Sequence, residues 1–83
     1  MIYRVDWLPE AKSRVVEYRK SDPEGVDLVF DAVNALARDP RPAGAQRYGS
    51  PDVLRIHVGR YRLLYEVRDA VVRITVVHVG RVS

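Results

Sequence analysis

VLRIHVGRYRLLYEV, residues 53–67, alternates apolar and basic side chains on both sides of a single glycine. Leu54, Ile56 and Val58 are interleaved with Arg55 and His57, so an extended chain would show one apolar and one basic face. Gly59-Arg60 suits a two-residue type II′ turn, because glycine accepts the positive φ at the first central position. That turn predicts the pairs Val58–Tyr61, His57–Arg62, Ile56–Leu63 and Arg55–Leu64. Cross-strand partners share a face. Leu54, Ile56, Val58, Tyr61, Leu63 and Tyr65 should therefore point into a core, while Arg55, His57 and Arg62 converge on the other side.

The flanking sequence extends the hairpin in both directions. Downstream, Asp69-Ala70 reads as a turn into a further strand, RITVVHVGR (73–81). Regular alternation then sets Glu66 beside Arg73, Leu64 beside Thr75 and Arg62 beside Val77. It carries Arg81 onto the basic face, unless a bulge at Gly80 intervenes, and puts His78 on the core face. Upstream, PRPAGAQRYGSPD (40–52) reads as a loop by its Pro and Gly content. Before that loop, Tyr3, Val5 and Trp7 alternate with Arg4 and Asp6 as a short strand. Pro9 opens a helix in which Leu8, Ala11, Val15 and Tyr18 recur at helical spacing. Ser21 or Asp22 caps a second helix, with Pro23 in its first turn. Its apolar stripe is Val26, Val29, Phe30, Val33, Leu36 and Ala37, and Asp39-Pro40 ends it. The expected fold is α+β: a single domain over 1–83, ordered β-α-α-β-β-β, with an αα-hairpin packed on an antiparallel-dominated sheet.

Composition narrows the function classes. The chain has 83 residues, 47% of them hydrophobic, and no cysteine, which excludes a disulfide framework, a thiolate zinc site and a cysteine nucleophile. No apolar run approaches the ~20 residues that cross a bilayer, and Arg4 and Asp6 spoil any signal-peptide core, so a cytoplasmic protein is expected. The net charge of +3 is unevenly spread. Residues 1–39 hold six Lys/Arg and eight Asp/Glu; residues 40–83 hold eight Arg, no Lys and three Asp/Glu. Arginine presents a planar fork that grips phosphate bidentately, which lysine does not. GC-rich codon usage would also favour arginine, so composition alone divides about evenly between the two explanations.

Position decides more than composition. Like charges set opposite one another destabilise a strand pair, and nothing in the fold requires Arg55, His57, Arg62 and Arg81 on one surface. Neutral imidazole accepts a proton, while arginines bind phosphate oxygens and stabilise charge that builds in a transition state. That inventory suits metal-independent RNA cleavage through the 2′-hydroxyl. Two histidines offer no metal-ligand set, and no serine stands in a nucleophile-elbow context. No cofactor is called for.

The run YGSPDVLRIHVGRYRLLYEVRD (48–69) with VVRITVVHVGR (71–81) resembles the RelE/ParE toxin superfamily of type II toxin–antitoxin systems. The resemblance spans nearly the whole chain and is most specific in R-I-x-V-G-x-Y-R-x-x-Y-E-V (55–67) and V-x-V-G-R (77–81). It implies a compact ribosome-dependent mRNA endonuclease that arrests growth. Its catalytic residues would be Arg55 and His57 on the second strand, Arg62 of the "YR" pair, and Arg81 at the first of the usual basic positions after Gly80. Arg47, Arg60 and Arg73 would add substrate-binding charge. Where Val82 stands, members commonly carry a further Arg, with a Tyr beyond it. The ParE branch, which shares the fold but poisons DNA gyrase without catalysis, is the alternative, together with a degenerate, weakly active toxin. Expected partners are a RelB-like antitoxin, ribosome and mRNA, and operator DNA reached through the antitoxin.

Overall fold

In the computed structural model, which describes residues 1–82, two helices cover one face of a five-stranded sheet. Strand β1 (Arg4–Trp7) leads into α1 (Pro9–Ser21) and α2 (Pro23–Leu36). Then follow β2 (Gln46–Tyr48), β3 (Ser50–Val58), β4 (Tyr61–Arg68), a 3₁₀ turn (Asp69–Val71) and β5 (Arg73–Arg81). The strand order is β1-β5-β4-β3-β2, with β1 parallel to β5 and every other pair antiparallel. This is the α+β arrangement expected from the sequence, with one strand more.

That extra strand, β2, lies in the segment read as loop. Gly49 adopts φ 81°, so the chain reverses tightly and Gln46 and Arg47 pair with Arg55 and Leu54. The central hairpin has the predicted register, pair for pair, from Val58–Tyr61 to Arg55–Leu64. Gly59 has φ 59° and Arg60 stays out of the left-handed region, the pattern of a type II′ turn.

The core is apolar throughout. Ala11, Val15, Val26, Val29, Val33 and Leu36 from the helices meet Leu54, Ile56, Tyr61, Leu63, Tyr65, Val67, Ile74, Val76 and Val79 from the sheet. Helix α2 starts at Asp22, whose side chain accepts from the Gly25 N–H at 3.1 Å, and Pro23 occupies its first turn. Trp7 meets Phe30 edge to face at 5.5 Å, tying β1 to α2.

Strand β5 departs from the expected register. Arg68 faces Arg73 and Glu66 faces Thr75, two residues from the anticipated pairing. Between Tyr65 and Leu64 the register shifts again: Tyr65 pairs with Val76 and Leu64 with His78, leaving Val77 as an extra residue. The cause is hydrophobic. Strict alternation would bury His78 and expose Val79, whereas the bulge buries Val79 completely and turns His78 outward. His78 therefore does not join the core face.

Candidate nucleic-acid interface

Two neighbouring cross-strand rows on the face of the sheet away from the helices hold the expected site residues of the hairpin. His57, Arg62 and Gly80 form one; Gln46, Arg55, Leu64 and His78 form the other. A cleft of about 370 Å³ opens on them, lined by Tyr48, Arg55, Arg62, Leu64 and His78. Next to it stands Gly80, where a Cβ would lie 3.2 Å from His78 Nε2.

Within this cleft Arg55 is the most constrained side chain. Its Nη2 donates to Gln46 Oε1 at 3.2 Å, and its guanidinium lies 5.3 Å from the Tyr48 ring centre. Its buried Nε has no hydrogen-bond partner among the described residues, an arrangement that costs about 1–3 kcal/mol. Neither Arg55 nor Arg62 forms an ion pair with a described carboxylate. The nearby Glu66 is engaged by Arg68 at 3.1 Å, and not by Arg73 as alternation predicted.

The anticipated site residues thus divide. Arg55, His57 and Arg62 share the exposed face, as read from the hairpin. His57 sits directly across from Arg62 and is exposed, but it borders a separate groove beside α2 and does not line the Arg55–Arg62 cleft. Arg81 does not join the basic face with its side chain. The extra residue at Val77 reverses its side, so it pairs with Tyr61, donates to Ser21 Oγ at 3.0 Å and covers the Tyr18 ring at 4.7 Å. Arg60, at the hairpin tip, lies in the same neighbourhood, 3.6 Å from Asp22. Arg73 is held at the opposite end of β5 by Asp6 at 3.2 Å. Arg47 pairs with Leu54 and so shares the helical side of β2.

Two residues not expected at the site, one of them the histidine assigned to the core face, complete the cleft. Tyr48, 50% exposed, is brought there by β2. His78 is brought there by the bulge. The signal for His78 was its company: an imidazole amid four valines between Val76 and Val82 is the residue least suited to burial. For Tyr48 no periodic pattern pointed to a face. Among the described residues no cluster of His, Cys, Asp and Glu could hold a metal ion, and no helix is long and apolar enough to cross a membrane.

On the helical side, Asp22 gathers the Tyr61 hydroxyl at 2.7 Å, the Gly25 N–H and the charge of Arg60. The Tyr61 hydrogen bond chiefly, then that of Gly25, holds its carboxyl below the ordinary 3.8.

Residues 5–83 match the family described as the ParE toxin of type II toxin-antitoxin system, parDE. No curated protein matches the chain. Among solved structures, the isolated RelE toxin of E. coli is similar at 26% identity over 98% of this chain and 85% of that one, with a TM-score of 0.80. The toxin–antitoxin complex RelBE2 of Mycobacterium tuberculosis aligns at 21% identity over 98% and 99%, with a TM-score of 0.78. The chromosomal ParDE system of P. aeruginosa shares the fold at 13% identity, with 99% and 98% covered and a TM-score of 0.76. With a sheet and helical hairpin of the RelE kind and a family match over nearly its whole length, the chain belongs to the ParE toxin family of type II toxin–antitoxin systems.

Proposed function

We propose that this toxin is a ribosome-dependent mRNA endonuclease that cuts through the 2′-hydroxyl without a metal. The observation that carries this reading is the cleft in which two arginines that pair with no described carboxylate, an imidazole and a half-exposed tyrosine ring meet. Arg55 and Arg62 hold the scissile phosphate, and the Tyr48 ring stacks a neighbouring base. His57, beside Arg62, takes the 2′-hydroxyl proton. The 2′-oxygen attacks phosphorus, the bond to the 5′-oxygen breaks, and His78 gives a proton to that leaving oxygen. The products are a 2′,3′-cyclic phosphate and a 5′-hydroxyl end. Arginine charge next to the phosphate stabilises the transition state.

Expression alone should arrest growth, with new 5′ ends on a translated message mapped by primer extension. Arg62→Ala should abolish both. His57→Ala and His78→Ala should each slow single-turnover cleavage by roughly 10²–10⁴-fold with ribosome binding intact. The second reading is a ParE-like toxin that poisons gyrase by binding, favoured by the family description that matches and by Val82 where relatives commonly carry Arg. DNA breaks with unchanged mRNA ends would select it.

The same reading calls for a cognate antitoxin, RelB-like, in a cytoplasmic complex that reaches operator DNA through that partner. The solved relatives from M. tuberculosis and E. coli include toxin–antitoxin complexes, and an arginine-rich face is readily captured by a segment of opposite charge. Co-expression with the product of the adjacent reading frame should restore growth.

A further inference from the structure

The cleft on the sheet face does not end there. It shares Arg62 and His78 with a second cleft of about 280 Å³, lined also by Gly80, Arg81 and Val82. That one shares Arg81 and Val82 with a third, of about 570 Å³, lined by Tyr18, Ser21 and Arg60. The series rounds the end of β5, where the Val82 N–H donates to Arg60 O at 2.7 Å and pins the strand end to the hairpin tip.

At the far end the arginines are held in place before any ligand arrives. Arg81 is fixed by Ser21 Oγ and by the Tyr18 ring, and among the described residues most of its donors remain uncommitted. Arg60 faces Asp22, but both oxygens of that carboxylate already accept, from Tyr61 and from Gly25, and its 3.6 Å contact with Arg60 is long. A pre-positioned arginine loses less conformational entropy on gripping an anion.

We propose that this channel is an extended path for single-stranded RNA, in which Arg60 and Arg81 bind a phosphate one or more nucleotides away from the one held by Arg55 and Arg62. The proposal rests on the endonuclease reading and adds a remote subsite to it. An acidic peptide could also meet two arginines, but it would not account for the continuity with the Arg55–Arg62 cleft or for the stacking ring at its other end. Arginine supplies all of the basic charge along the path, as phosphate recognition favours.

The test is anisotropy of labelled RNA bearing 2′-O-methyl groups, so that it cannot be cut, titrated across a range of salt. A ~10-nucleotide strand, within the usual span of a single-strand site, is compared with a dinucleotide. For the long strand, Arg60→Gln/Arg81→Gln should weaken binding and flatten the log–log salt slope by about 0.7, the loss of one phosphate contact. The dinucleotide should bind the variant and the wild type equally. Ser21→Glu, which adds a negative charge in the third cleft and removes no core contact, should reproduce the loss. An unchanged slope in both variants overturns the remote subsite, even if Arg62→Ala still abolishes cleavage and the endonuclease reading survives. Equal loss for both lengths also overturns it, because the arginines would then act on the sheet-face cleft. If neither RNA binds the wild type and no message is cut, both readings fall. A polyglutamate peptide that loses affinity for the variants while RNA does not would assign the cleft to a protein partner.

Discussion

Tyr61 and Tyr65 are both buried, and each must find a partner for its hydroxyl inside the protein. Tyr61 donates to Asp22 and Tyr65 donates to the Pro40 carbonyl, both at 2.7 Å. Tyr65→Phe should cost about 1 kcal/mol of stability, read from urea unfolding at neutral pH. Burial also pushes the Tyr65 hydroxyl from 10.0 up to about 12. A raised value means the folded state keeps its proton longer than the unfolded chain. Stability should therefore be full below pH 10 and decline between pH 10 and about 12, and Tyr65→Phe should reduce that decline. The inward direction of both rings followed from alternation around Gly59. Their partners did not, because they lie 39 and 25 residues away, where no local pattern reaches.

At the scale of elements, α2 shows how a local rule gives way to a contact. Alanine ordinarily stabilises a helix by about 1 kcal/mol over glycine, yet at Gly25 a Cβ would run into the Asp22 carboxylate. Gly25→Ala should therefore lower the melting temperature, by displacing the group that caps α2 and receives the Tyr61 hydroxyl. The loop after α2 is strapped in similar fashion: Arg41 grips Asp69 through both terminal nitrogens, at 3.2 and 2.9 Å, and Tyr3 donates to the same carboxylate at 2.6 Å. Arg41 first, then Tyr3, holds the Asp69 carboxyl below 3.8. This contribution is present above pH 3.8 and lost as acid titrates the folded group, so Asp69→Asn should flatten the acid limb of the unfolding profile. Both helices and the central hairpin were legible because their periods are local. β2 was not, since only the left-handed Gly49 makes its three residues a strand. The register of β5 was misread because an alternating pattern cannot show where one residue will be skipped.

For the molecule as a whole, closure depends on the two ends of the chain. Residues 4–7 pair with residues 73–76, and β1 forms that edge of the sheet. Removing residues 1–8 should yield an aggregating protein, and not a smaller folded toxin, because the apolar strand β5 would become an open edge; light scattering during purification would show it. The concentration of positive charge in the second half was plain in the sequence, and with it Arg55 and Arg62. The proposed site also needed Tyr48 and His78, which two irregularities of backbone deliver. One of these has a genetic consequence. Because two consecutive valines, Val76 and Val77, oppose a single partner, the strand carries one residue of slack. Losing one codon there would leave His78 opposite Leu64 and Val79 opposite Leu63, with the hydrophobic pattern undisturbed. Such a protein should remain folded and soluble while the imidazole, deprived of the local twist, is aimed differently. Elsewhere in a strand a shortened reading frame is usually ruinous; here it would be survivable, and its effect would fall on the toxin's potency before its fold.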